Sequence, residues 1–421
     1  MRRGATSHNF SAHRRHAVAL IAVAATAILG LAACTAENPQ STSASSWSQV
    51  QSTAKGETVN LWMYGGDRQG NSYVDNFLIP AAAKEGVTLK RVPVTDTKDA
   101  LNRILSEKQA GVSDGSVDLV WVNGSNFGTG KQADAWKCNW TQLLPNMKYT
   151  DARDPLLKND FGTPVDGCEA PWHKAQFSLA YNAAVVGDPP HSFSGLAQWI
   201  TAHPGRFTYP APPDFTGSVF VREMLYNTSG GYENVPLRYS QKSYDTLTPA
   251  LYKKLNSLKS SLWKNGATYP KDSDALNRLY SDGQVDVTMT YGPAALTDLV
   301  ANGTYPPATK VVTFDEGTVG NASFLAIPST SGASAGAMVV ANLALSPTQQ
   351  AFSADPKVWG QFTVLDLSTL TRSARAAFQK LPASSVVPSY DILSKNANPE
   401  LSAGWVSVID DGWRKNVLSS Q

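Results

Sequence analysis

Cysteine, histidine and charge are all scarce in this chain of 421 residues. There are only 3 cysteines and 6 histidines. His8, His13 and His16 lie at the extreme amino terminus, which leaves His173, His191 and His203 scattered through the body. That distribution argues against a histidine-rich metal site, and Cys138 and Cys168 cannot alone make a structural zinc site. Charged residues make up 17% of the chain, low for a cytosolic protein. No Gly-x-Ser-x-Gly elbow, Walker loop or His-Glu-x-x-His helix occurs, and no repeat of fixed period is visible. No cofactor and no metal are expected.

Charge is also missing in a second sense. There are 36 basic residues against 34 acidic. Residues 1–33 hold Arg2, Arg3, Arg14 and Arg15 and no acid, so without them 32 basic residues face 34 acidic, a net of −2. A near-neutral body has no electrostatic footprint for nucleic acid. The basic segment precedes an apolar run over 17–33, shorter than the roughly 20 residues a membrane span needs. The run ends in Leu31-Ala32-Ala33-Cys34, the pattern of a lipoprotein signal, with Cys34 as the acylated residue. A plain secretory signal with a chance cysteine is the rival. Arg14-Arg15 matches a twin-arginine export signal poorly beyond the pair and reads as ordinary leader charge. Residues 34–46 then form a lipidated cysteine and a polar tether. Acyl chains bury methylenes at about 0.8 kcal/mol each, so more than one chain anchors firmly. In that oxidising compartment a Cys138–Cys168 bridge is favoured over two free thiols. It would close a loop of about 30 residues, worth ~3 kcal/mol by loop entropy.

What is present is an alternation of strand-like and helix-like segments. Residues 58–64, 87–92 and 117–122 read as strands, with helices over 73–84 (bent by Pro80) and 97–110 between them. Such alternation predicts an α/β fold with a parallel sheet covered by helices. A second block follows: an extended segment over 177–186, helices over 194–201, 217–226, 244–263 and 274–280, and strands over 206–209 and 285–290. Strand character returns at 311–314 and 322–327, and the remainder is mostly helical. One natural solution is an inserted second unit. Lobe 1 would be 47–178 with 318–421, lobe 2 would be 184–310, and 178–184 and 310–318 would be hinge crossovers.

In open α/β sheets ligands bind beyond the carboxyl ends of strands, near helix amino termini. Five segments occupy such positions. Tyr64-Gly65-Gly66-Asp67 offers a stacking ring, close backbone approach and a carboxylate. Asn123-Gly124-Ser125-Asn126-Phe127 offers amides, a hydroxyl and a ring. In the Pro-rich loop before the helix at 217, Asp214, Thr216, Gly217 and Ser218 stand together, with Thr216 and Ser218 as expected caps. Tyr291 follows one strand and Asn321 opens another, and Trp172 is placed near the hinge. Each segment alone reads equally as an ordinary turn or cap. Together they describe a wet cleft. Hydroxyls and helix ends suit a polar neutral or anionic solute. A strong cation would want more carboxylates than Asp67 and Asp214.

Several runs resemble a known family. They are Leu61-Trp62-Met63-Tyr64-Gly65-Gly66-Asp67, 115–124 (GSVDLVWVNG), 203–215 (HPGRFTYPAPPDF), 316–321 (EGTVGN), 336–342 (GAMVVAN), and Leu345-Ser346-Pro347 followed by Asp355 and Trp359-Gly360. They are similar to the YnjB-type branch of ABC-transporter solute-binding lipoproteins, over roughly residues 47–415. The resemblance implies a class II periplasmic-binding-protein fold with two α/β lobes on a two-stranded hinge. It implies a monomeric, membrane-anchored binding protein, not an enzyme, serving a membrane permease and, through it, a cytoplasmic ATPase. Cys138, within Trp136-Lys137-Cys138-Asn139-Trp140, and Cys168 depart from the family pattern. Two rival classes remain: a secreted cell-envelope hydrolase, for which Glu169 and Asp214 would be the carboxylates to converge, and a structural surface lipoprotein with no cleft.

Overall fold

The computed structural model describes residues 46–393 and 397–419. The leader, Cys34 and the tether up to residue 45 lie outside the described residues. The strands are β1 Thr58–Tyr64, β2 Thr88–Val94, β3 Leu119–Val122, β4 Asn159–Asp160, β5 Thr163–Pro164, β6 Glu169–Gln176, β7 Ser178–Asn182, β8 Val287–Thr290, β9 Thr309–Val311, β10 Thr318–Ala326 and β11 Ala397–Pro399.

The first lobe is built on a sheet in the order β11-β10-β3-β1-β2, with β6 also paired to β10. β1 runs parallel to β2 and to β3, as the alternation predicts. Parallel pairing needs crossovers, and helices supply them. The helix Thr97–Gln109 buries Ala100, Leu101 and Ile104 at helical spacing and is capped by Asp96. Pro80 does not break its helix. A π turn, Val74–Leu78, precedes Ile79–Lys84, so Pro80 falls in a first turn where its missing N–H costs nothing. β10 enters antiparallel to β3 and β6, buried at every position. Cys138 and Cys168 are disulfide-bonded. Cys168 is buried beside Phe127 and Trp136 in a small core.

The second lobe has a three-stranded antiparallel sheet, β8-β7-β9. The segment 206–209, expected as a strand, belongs to no ladder. It is an extended stretch held by single bonds, Asp286 N–H to Arg206 O at 2.9 Å and Trp263 N–H to Phe207 O at 2.8 Å. Phe207 and Tyr209 are nonetheless buried, which explains their apolar pattern.

The chain passes between the sheets twice. Phe177 alone separates β6 from β7, and residues 312–317 separate β9 from β10. The two passages lie side by side, since Phe177 N–H donates to Val319 O at 2.8 Å.

The expectation that 318–421 packs wholly with the first lobe fails at the closing helix, Ala403–Trp413. Its stripe of Trp405, Ile409 and Trp413 lies in the second lobe's core with Phe207, Phe220 and Leu255. Trp413 Nε1 donates to the Tyr209 hydroxyl at 3.0 Å. Three indole and aliphatic faces at helical spacing needed a partner, and the long helices of the second lobe supply it.

Candidate functional site

Asn123 and Gly124 follow β3 directly. Gly124 has φ +67°, and its N–H donates to both carboxylate oxygens of buried Asp160, at 2.7 and 2.8 Å. The left-handed turn aims the helix Ser125–Gln132 so that Ser125 and Asn126 face the second lobe. Opposite stands the helix Phe215–Thr228. Its cap is Asp214, whose Oδ1 accepts from Gly217 N–H at 2.9 Å; Thr216 and Ser218 are not the caps. Asp214 also accepts from the Ser273 N–H and hydroxyl. A shared carboxylate therefore ties two helix starts together, its two oxygens accepting from all three donors where a hydroxyl oxygen has only two acceptor sites. Gly217 is required here, because a Cβ would collide with the Pro210 carbonyl.

Between these elements lies a cavity of about 310 Å³. Asn123, Gly124, Ser125 and Asn126 line one side, and Phe215, Ser218 and Arg222 another. The closing helix contributes Ser407 and Asp410, and Phe161 covers the turn at Gly124. Four stretches distant in sequence thus converge on one space.

Its charges are tightly ordered. Arg222 is fully buried and makes a bidentate pair with Glu400, Nε to Oε1 at 2.7 Å and Nη2 to Oε2 at 2.8 Å. Its Nη1 donates to Ser218 Oγ, which donates onward to Asp410 Oδ1, both at 2.5 Å. Burial raises the Asp410 carboxyl above its usual range, against the Ser218 hydrogen bond and Arg222, which lower it. Tyr291 packs edge-on to Phe215, 4.9 Å between ring centres, with its hydroxyl buried and unpartnered. Burial lifts the Tyr291 phenol further, so it stays protonated.

Of the other expected site residues, most serve packing or capping. Tyr64 is 45% exposed at the end of β1, and its ring folds over Gly66. Gly65 N–H donates to Val94 O. Asp67 caps the next helix and accepts from Trp359 Nε1 at 2.7 Å. Phe127 is a core ring. Trp172 is fully buried among Tyr73, Trp121, His173 and Trp359. Burial drops His173 to about 3, so its imidazole is neutral. Asn321 is buried with both amide atoms unpartnered. Glu169 sits beside Asp160, and burial, then that neighbour, raises its carboxyl. Neither Glu169 nor Asp214 lines the cavity, so the carboxylate pair a hydrolase would need is not assembled there.

Phe161, Arg222, Ser407 and Asp410 were not foreseen. Arg222 stands four residues after Ser218, one helical turn along the same face, and that spacing was a usable signal. Asp410 carried none, since its partner Ser218 lies 192 positions away. A larger cavity of about 690 Å³ runs along 354–389 beside the Lys174–Asp154 ion pair. None of the strand-end segments reaches it, so the smaller space is the candidate site. Among the described residues no cluster of three or more metal-ligating side chains occurs.

Residues 73–380 match the bacterial extracellular solute-binding protein family. The chain is 35% identical over 373 residues to protein YnjB of Escherichia coli K12, covering 88% of this chain and 94% of that protein. Among solved structures, an ABC transporter protein of Clostridium perfringens matches with a TM-score of 0.61 at 15% identity, over 85% of this chain and 98% of the other. The spermidine/putrescine substrate-binding protein PotD of Streptococcus pneumoniae matches with a TM-score of 0.60 at 14% identity, over 86% and 98%. These likenesses identify the architecture as the two-lobed fold of periplasmic binding proteins.

Proposed function

The chain belongs to the bacterial extracellular solute-binding protein family, and from that premise we propose that it captures a small polar solute between its lobes for an ABC-type importer. The carrying observation is the cavity that Asn123, Ser125 and Asn126 share with Phe215, Ser218 and Asp410. Its volume of about 310 Å³ is at the low end for ligand pockets, so the guest is compact. Of the two solute classes expected from the sequence, polar and anionic, the anionic one is disfavoured. The one guanidinium at the wall, Arg222, is already engaged bidentately by Glu400.

A solute touching both lobes favours the closed arrangement by its differential affinity, and a permease reads that shape. Tyr291 and Asn321, buried with unpartnered polar atoms, are the further candidates to meet the solute. The body acts as a monomer, held at the outer face of the membrane by acylation of Cys34. Among the described residues no helix is long and apolar enough to cross a membrane.

Mass spectrometry of whatever co-purifies with the protein, with a thermal-shift screen of solutes, tests capture. A ligand at a thousand times its Kd adds about 4 kcal/mol to stability. Screening that gives no shift from any polar class ends the proposal. Cys34→Ser should release the protein from the membrane fraction; retention there would refute the anchor.

A further inference from the structure

The charges around the cavity do not cancel. Arg222 brings one positive charge, and Glu400 takes it up completely in a fork-to-fork pair at 2.7 and 2.8 Å. Asp410 is a second carboxylate at the same network. One of its oxygens accepts from Ser218, and the other has no protein partner among the described residues although Asp410 lines the cavity. The wall therefore holds one buried cation against two carboxylates, and the neighbouring Arg414 is paired with Asp411 at 3.1 Å, so that pair adds no net charge. The remaining lining is uncharged: amides and hydroxyls from 123–126 and Ser407, and the rings of Phe161 and Phe215.

Resting on the capture reading above, we propose that the solute is a compact cation that presents an N–H donor to Asp410, with its apolar part against Phe161 and Phe215. An ammonium, amidinium or guanidinium group supplies what the network lacks. It satisfies the open carboxylate oxygen, restores charge balance at the wall, and lies beside two aromatic rings. A free anion would face Asp410, with Arg222 already held by Glu400 and Arg414 by Asp411.

Asp67 and Asp214, the acids visible in the sequence, do not take this role. The first is held by Gly70 N–H and Trp359, the second by Gly217 and Ser273. Burial lifts the Asp410 carboxyl, so the empty wall favours its protonated form and a bound cation favours the charged one.

The test uses the full chain and three sets of probes in thermal-shift and calorimetric titrations: putrescine, agmatine and benzamidine as cations, glucose and glycerol as neutral solutes, and citrate and phosphate as anions. The expected result is binding confined to a cationic probe, weakened about tenfold or more by Asp410→Asn. Affinity in the wild type should also fall as pH drops and Asp410 takes up a proton, with Arg222 and Arg414 opposing that uptake, Asp411 favouring it, and Tyr252 facing the group from the helix Gln241–Leu258. Ser407→Asp, at an exposed position one turn before Asp410 on the same face, should tighten the same probe, which keeps the test alive if the Asn variant folds poorly. Binding confined to a neutral or anionic probe, insensitive to both variants, overturns the cation and leaves capture standing. Binding of no probe, together with no co-purifying solute, overturns both.

Discussion

The two lobes meet the cavity with different chemistry. The first offers the end of β3, where Asn123, Ser125 and Asn126 are uncharged and sit on a turn fixed by Asp160. The second, joined by the closing helix, offers Arg222, Glu400, Ser218 and Asp410, a charged network removed from water. Their supports differ as well. A disulfide ties the first lobe's loops; the second relies on an ion pair whose partners are 1% and 2% exposed. One side thus carries uncharged hydrogen-bonding groups. The other carries buried charges, which tolerate few alternatives.

Cutting the second lobe's ion pair gives the largest expected effect. Glu400→Gln leaves Arg222 without its counter-charge and should cost about 3–5 kcal/mol in urea unfolding. Replacing both partners, Arg222→Met with Glu400→Leu, should return most of that stability. An equal loss in the single and the double variant would show that packing, not charge, dominates there. The matching cut in the first lobe is smaller. Cys138→Ser with Cys168→Ser opens a loop spanning 30 residues and should lower stability by ~3 kcal/mol. A melting temperature unchanged by reductant in the wild type would refute it.

The contact between the helix Phe215–Thr228 and the start of β10 should differ from both in its response to pH. Glu223, buried on the helix Phe215–Thr228, accepts from Val319 N–H at 2.5 Å, at the start of β10. Burial pushes its carboxyl from 4.5 to about 8, with Val319 lowering it, Glu400 and Glu316 raising it, and Arg222 lowering it. The folded protein therefore holds this proton where the unfolded chain releases it. The group's contribution is complete below about pH 4.5 and fades as pH climbs to about 8. The loss should run at ~1 kcal/mol per pH unit across that window. Glu223→Gln should flatten it, and parallel pH curves for variant and wild type would remove Glu223 from the account.

The same contrast explains what the sequence could disclose. β1, β3 and the helix Thr97–Gln109 were legible because apolar period, strand length and caps agree locally. The strand end at 123–126 followed from the rule for open sheets, whereas 215–218 was reached through an expected strand at 206–209 that belongs to no ladder. The stretch 206–209 misled because burial, not a ladder, accounts for its apolar residues. Asp214, Thr216 and Ser218 all suit a cap, and only the fold shows that Asp214 serves two helices. Asp410 was illegible because its meaning lies wholly in contacts across 192 positions.

The smallest expected effect concerns neither lobe but the contact between them. Gln69, in the first lobe's helix Arg68–Tyr73, donates from Nε2 to Asp298 Oδ2 of the second lobe's helix Ala295–Ala301 at 2.6 Å. This bond exists only while the lobes are together, so it biases closure without adding to either core. A hydrogen bond to a charged partner at a part-buried position is worth ~1 kcal/mol net. Gln69→Ala should shift the open and closed populations, and with them the affinity for any captured solute, by about fivefold. Cooperative unfolding of the individual lobes should stay within ~0.5 kcal/mol of wild type, because no core contact is lost. Solution scattering of the ligand-free variant should show a larger radius of gyration than the wild type if closure depends on this bond. An unchanged radius together with unchanged affinity would mean that the 2.6 Å contact follows closure instead of helping to set it.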